Sequence, residues 1–275
     1  MQNAGIAALG LNWRYLALDV SGKDLRTALE GAKAMNFIGL NLTVPHKLHA
    51  LKMVDALDAS ARDWGAVNTV LFEGMSRNGK WQPLVGFAEA PLKVRSRGFN
   101  TDAEALGRAL KEDLGLRLRG AKVLLIGAGG AGRSAALKLA SERIAALFLV
   151  NRTQRKARAL AREIKKRYPQ LNVALGYPSS RVDLLLNATS LGLKREDPMP
   201  LDTKQFSLLR AGAVYDMVYR PAETLLLKKA RAAGCRTANG LGMLLYQGTK
   251  ALELWSGQKA PETIMRRALE QEIYG

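Results

Sequence analysis

The chain's 275 residues can fill one large domain or two modest ones, and 48% hydrophobic with 24% charged residues is the make-up of a soluble globular protein. No apolar run approaches the roughly 18 residues that span a bilayer, Met1–Leu9 has no basic stretch of the kind that opens a signal peptide, and the single cysteine, Cys235, excludes an internal disulfide and suits a reducing cytoplasm. The net charge of +18 attracts anions; because the basic residues are scattered over several helical segments with no recognisable nucleic-acid module, a small anionic substrate and a phosphorylated cofactor are expected in preference to nucleic acid.

In chain order, residues 13–19 read as a strand, 24–34 as a helix and 37–43 as a second strand. A helix follows Pro45, since proline suits a first helical turn. Residues 66–72 form a third strand, with a turn-rich stretch at Glu73–Lys80. A helix over Thr101–Leu114 leads to a short buried strand, Lys122–Ile126, a tight turn and a helix over Gly132–Arg143. Strand Leu147–Val150, helix Gln154–Arg167, strands Asn172–Leu175, Asp183–Asn187 and Ala213–Met217, and helix Ala222–Ala233 continue the rhythm; helices Gly240–Leu254 and Pro261–Ile273 close the chain. Alternating strand and helix argues for parallel sheets covered on both faces, in two α/β lobes with a boundary near residue 102 and the last helices folding back.

The turn Gly127-Ala128-Gly129-Gly130-Ala131-Gly132 lies between an apolar strand and an alanine-rich helix, where a dinucleotide pyrophosphate meets a helix N-terminus. The strand after it decides the nucleotide. An NAD site usually ends that strand in Asp or Glu, which binds the ribose 2′-hydroxyl. Here Val150-Asn151-Arg152-Thr153-Gln154-Arg155-Lys156 holds no acid. Arg152 can stack on adenine and pair with a 2′-phosphate, Thr153 can donate a hydroxyl, and Arg155 or Lys156 can add charge, so NADP is expected.

Three polar motifs in the first lobe, Asn41–Lys47, Gly65–Thr69 and Gly98–Asp102, fall at strand ends or helix starts, where open α/β sheets gather ligand groups. A lysine held near an aspartate can carry the proton that leaves an alcohol as it is oxidised. Singly, each has an ordinary reading: Lys47 as a surface charge, Asp102 as a helix cap, Asn68 as a turn residue. His46 and His49 have no acid or cysteine cluster beside them, so no metal site is expected. Cys235 has no base partner and reads as a buried strand residue.

Together the motifs resemble the shikimate dehydrogenase family, with its N-V-T-x-P-x-K, G-A-x-N-T and G-x-N-T-D patterns. The resemblance continues in order through the glycine turn, Asn151-Arg152-Thr153, Asn187-Ala188-Thr189-Ser190, Tyr215–Tyr219 and Asn239–Gln247. It implies a substrate-binding domain over 1–101, a Rossmann-type NADP-binding domain over 102–238, and C-terminal helices over 239–275 packing back on the first. It implies reversible reduction of 3-dehydroshikimate to shikimate, in aromatic amino acid biosynthesis. Lys47 and Asp102 match the catalytic pair; Thr43, Asn68, Tyr219 and Gln247 match substrate-binding positions. Gly127, Gly129, Gly130, Ala131, Asn151, Arg152, Thr153, Lys156, Thr189, Met217 and Gly240 match the cofactor site. A quinate/shikimate dehydrogenase of broader specificity and a non-catalytic NADP-binding relative stay open, as does a choice between monomer and homodimer.

The likeness departs at the start. Family members open with a strand, a G-x-P-x-x-H-S-x-S-P loop and a helix beginning M-H-N-x-x-F, whereas this sequence begins Met1-Gln2-Asn3-Ala4-Gly5-Ile6, inside that helix. By the resemblance the loop serines bind the substrate carboxylate, and losing two such bonds would cost about 1.5–3 kcal/mol each.

Overall fold

The computed structural model describes all residues 1–275 and divides them into two compact units: Met1–Asp102 with Gln247–Leu269, and Ala103–Tyr246 with Glu270–Gly275. No helix is long and apolar enough to cross a membrane.

The first unit opens with α1 (Gln2–Ala8) and α2 (Leu25–Ala34), followed by strand β1 (Gly39–Asn41) and α3 (His46–His49), which runs into one 3-10 turn over Ala50–Lys52. Then come β2 (Ala56–Leu57), α4 (Ala59–Trp64), β3 (Thr69–Met75), β4 (Trp81–Pro83) and β5 (Val94–Phe99). The sheet order is β1-β3-β5-β2, with β4 sharing the β1 edge of β3. β3 is antiparallel to β1, β4 and β5, and only β2–β5 is parallel, so the expected parallel sheet is mixed here. A tight turn at Ser76–Lys80 returns the chain antiparallel, which two strands joined by so short a link must do. The core packs Leu25 and Leu29 of α2 with Val67, Val70 and Phe72. Later in the chain, Ala251 and Trp255 pack on Leu71 and Phe99, and the Trp255 indole donates to the Val70 carbonyl.

Residues 13–19, expected as a strand, form none. Alternation alone makes no strand without a neighbouring backbone to pair with. The segment is fastened by side chains instead. Asn3 bonds both the N–H and the C=O of Tyr15, whose hydroxyl donates to Asn41 Oδ1 at 3.0 Å. An open apolar groove of about 620 Å³ runs between this segment, α2 and β1, leaving Leu16 66% and Leu18 61% exposed.

The second unit begins with α5 (Asp102–Leu114), whose first residue belongs to the first unit, and continues β6 (Lys122–Ile126), α6 (Gly130–Ser141), β7 (Ala146–Val150), α7 (Gln154–Arg167), β8 (Asn172–Leu175), β9 (Val182–Asn187), β10 (Ala211–Asp216), α8 (Leu225–Ala232) and β11 (Arg236–Asn239). All six strands are parallel, in the order β11-β10-β9-β6-β7-β8, the doubly wound order in which a dinucleotide lies at the switch point by β6. Strands buried on both faces read as the apolar runs seen at Val123–Ile126 and Leu184–Leu186. Cys235 is buried just before β11, with its thiol on the carbonyls of Leu208 and Ala211. The last helices are α9 (Leu241–Ser256) and α10 (Glu262–Tyr274).

Candidate active site

In the first unit, three separate segments bring one polar cluster together. Lys47 rides on α3, Asn68 lies at the entry to β3, and Asp102 starts α5. Lys47 Nζ donates to Asp102 Oδ2 at 2.7 Å, and Asn68 Nδ2 donates to Asp102 Oδ1 at 2.8 Å. Asn68 is 2% exposed and its amide is fixed on every side: Nδ2 also reaches Thr101 Oγ1, and Oδ1 accepts from the Thr101 N–H at 2.8 Å and from the Thr69 hydroxyl. The Asn68 backbone bonds Phe99 and Leu42, so β5 and the end of β1 hold it in register. The aspartate is thereby oriented by a buried amide, while the lysine side chain stays 29% exposed and open to a reactant. Thr43 is exposed just before α3, on the rim of the apolar groove, and Gln247 is half-buried on α9.

In the second unit the glycine turn lies between β6 and α6. Gly127 has φ +110°, and a Cβ on Gly132 would stand 2.2 Å from the Gly127 carbonyl oxygen, so both positions demand glycine. A Cβ at Gly129 or Gly130 meets only open space, so their backbone faces a free volume at the start of α6. The Ala128 N–H donates to Asn151 Oδ1 at 2.9 Å, tying the turn to the end of β7, and Asn151 Nδ2 donates to the Thr153 carbonyl. Arg152, Thr153 and Lys156 are exposed there with no carboxylate in the segment. This donor set fits a dinucleotide carrying a 2′-phosphate: free amides at a helix start for the pyrophosphate, an unpaired guanidinium for the extra charge.

A cavity of about 920 Å³ gathers Ala131, Thr189, Met217 and Tyr219 at the C-terminal ends of the strands, while Gly240 packs so closely that a Cβ would reach the Met217 carbonyl oxygen at 2.2 Å. Two residues given no role in the sequence expectations organise this end. Asp216, fully buried, accepts from Asn187 Nδ2 and the Val218 N–H on one oxygen and from the Thr224 hydroxyl on the other. Burial pushes its carboxyl above the ordinary value against those hydrogen bonds. Asn187 Oδ1 in turn accepts from the Thr189 N–H and hydroxyl. Tyr274, in the last turn of α10, accepts from Asn239 Nδ2 and donates to the Tyr219 carbonyl, both at 2.9 Å. A lone acid closing the apolar run Ala211–Asp216 is a sequence signal for the first; the second has none. His46 is buried and His49 exposed, and no group of three or more His, Cys, Asp or Glu could hold a metal ion.

Comparison with known proteins agrees along the chain. The description of a shikimate dehydrogenase substrate-binding domain matches residues 1–70, that of shikimate/quinate 5-dehydrogenase matches 109–192, and that of a shikimate 5′-dehydrogenase C-terminal domain matches 240–270. The shikimate dehydrogenase (NADP⁺) of Methanopyrus kandleri is 38% identical over 99% of this chain and 90% of its own. Among solved structures, a shikimate dehydrogenase in complex with NADP⁺ superposes with a TM-score of 0.82 at 31% identity, covering 99% of this chain and 90% of that one. The 5-ketofructose reductase of a Gluconobacter strain gives 0.79 at 33%, covering 98% and 92%. With the polar cluster, glycine turn and sheet order in place and a relative 38% identical over 99% of this chain, the chain belongs to the shikimate dehydrogenase family.

Proposed function

We propose that this protein is an NADP-dependent oxidoreductase that reversibly reduces 3-dehydroshikimate to shikimate in the cytoplasm. The observation that carries the reading is the chain of contacts Lys47–Asp102–Asn68, a proton-carrying amine held by an oriented carboxylate. NADP, when bound, supplies or accepts the hydride. Lys47 Nζ takes the substrate's hydroxyl proton in oxidation and gives it back in reduction. Asp102 keeps the amine in place; Asn68, expected from the resemblance to bind substrate, has its amide spent on Thr69, Thr101 and Asp102 and orients that carboxylate instead, while Thr43, Tyr219 and Gln247 bind the substrate's hydroxyls and carboxylate through paired donors and acceptors. Gly127, Gly129, Gly130 and Ala131 receive the pyrophosphate; Asn151, Arg152, Thr153 and Lys156 receive the adenosine end; Thr189, Met217 and Gly240 border the nicotinamide. The lack of an acid from Val150 to Lys156, at the end of β7, supports NADP over NAD.

A dehydrogenase acting on quinate as well as shikimate is the second reading, favoured by the match of residues 109–192 to a description that names both acids. Steady-state turnover of shikimate and quinate with NADP⁺ and NAD⁺ tests both. NADPH formation with shikimate, with a higher kcat/KM for NADP⁺ than for NAD⁺, is expected; equal kcat/KM for the two acids would establish the second reading, and preference for NAD⁺ would refute the cofactor assignment.

A further inference from the structure

The glycine turn occupies one edge of the six-stranded sheet. The opposite edge, where the parallel strands begin, holds a second concavity of about 530 Å³. Its walls carry Arg117 and Arg119 from the link between α5 and β6, Arg181 just before β9, and Arg236 at the start of β11. The only acid lining it is Asp183, whose Oδ2 accepts from the Lys122 N–H at 2.7 Å. Arg117, Arg119 and Arg181 form no ion pair, and Arg236 spends one N–H on the Leu114 carbonyl.

Elsewhere four arginines are matched, Arg95 with Glu73, Arg97 with Asp58, Arg133 with Glu163 and Arg231 with Glu223, while others such as Arg152 stand singly on the surface. The basic row of α7 is a different case, because Arg155, Arg158, Arg162 and Lys165 come from one helix at spacings of three and four, which is the solvated face of that helix. At the strand edge, four arginines from three separate segments line one hollow. A concavity lined by one sign of charge focuses the field and concentrates counter-ions. Planar guanidiniums pair bidentately with phosphate oxygens. The lining includes Gly120 and Gly212, which carry no side chain. The size suits a small molecule.

We propose that this cavity binds the phosphate groups of a small polyanion, as a site separate from the glycine turn. Thermal unfolding of the full chain, titrated with pyrophosphate at constant ionic strength and saturating NADP⁺, tests it. A saturable rise in Tm of a few degrees at a hundred times the apparent Kd is expected. The rise is lost in Arg117→Gln/Arg181→Gln, whose NADP⁺ binding is unchanged, and kept in Arg158→Gln/Arg162→Gln. Parallel titrations with inorganic phosphate and adenosine diphosphate distinguish a bare phosphate ligand from a nucleotide. A non-saturating rise, the same rise with sulfate, or a rise that survives in Arg117→Gln/Arg181→Gln would overturn the proposal.

Discussion

At Lys47 and Asp102 the chemistry rests on two hydrogen bonds and one charge. Asp102→Asn keeps the shape and the acceptor from Asn68 but removes the charge that holds the amine, so kcat is expected to fall roughly 10²–10⁴-fold while NADP⁺ affinity, read by fluorescence titration, is unchanged. Arg152→Ala removes the guanidinium expected on the 2′-phosphate. A charged hydrogen bond of about 1.5–3 kcal/mol predicts a roughly ten- to hundredfold rise in the Kd for NADP⁺ with little change for NAD⁺; equal losses for both would show that Arg152 does not read the phosphate. The polar motifs around these residues were legible only together, through the family pattern they resemble, because singly each reads as an ordinary surface charge, cap or turn residue. At Asp216 the lone acid closing an apolar strand is visible, but the network it anchors is not, because its partners Asn187 and Thr224 lie outside that strand.

Elements show the same division. Lys122–Ile126, Gln154–Arg167 and Asn172–Leu175 appear with the bounds read from sequence, because flanking glycines, a threonine before the helix and strong periodicity all agree. β2, α4 and β5 were missed: the first is two residues long, and β5 carries Arg95 and Arg97 whose charges are taken up by Glu73 and Asp58 across the sheet. A residue-long apolar test cannot see such pairs. The strand expected at 13–19 failed for the opposite reason, a pattern without a partner. Two substitutions separate its leucines from true core. Leu29→Ala, at 2% exposure, should cost about 2–5 kcal/mol in denaturant unfolding, whereas Leu16→Ser, at 66%, should stay within about 0.5 kcal/mol; a cost at Leu16 equal to that at Leu29 would mean the groove is closed in solution. Gly132→Ala should lower Tm and abolish NADP⁺ binding together, since the added methyl meets backbone rather than a movable side chain.

For the whole molecule, an excess of basic over acidic side chains leaves acid stability to a few well-placed carboxylates. Burial raises the Asp58 carboxyl, but hydrogen bonds from the Ser60 N–H, the Ser60 hydroxyl and Arg97 outweigh it and hold the group below its ordinary value; Asp55 is held down likewise by Ser96 and Lys33. A carboxyl depressed in the folded state adds stability that is fully present above its unfolded value, about 3.9, and is lost as pH falls through the folded one. Tm should therefore drop steeply below about pH 4. Asp58→Asn, which can still accept from the Ser60 N–H, should have a lower Tm at neutral pH and a shallower drop; an unchanged slope would remove Asp58 from the account. The two lobes and the glycine turn were read from the order of motifs along the chain, but the mixed sheet of the first unit was not, because strand direction depends on pairings that periodicity does not encode. The claim that binds these scales is that one lysine moves the proton of an NADP-dependent oxidation. Its most direct test is the rate of NADPH formation from shikimate and NADP⁺ by the 275-residue chain, with Lys47→Ala measured beside it. The account predicts turnover that falls at least a hundredfold in the variant while NADP⁺ binding persists; turnover indifferent to Lys47, or none from a wild-type chain that binds NADP⁺, would contradict it.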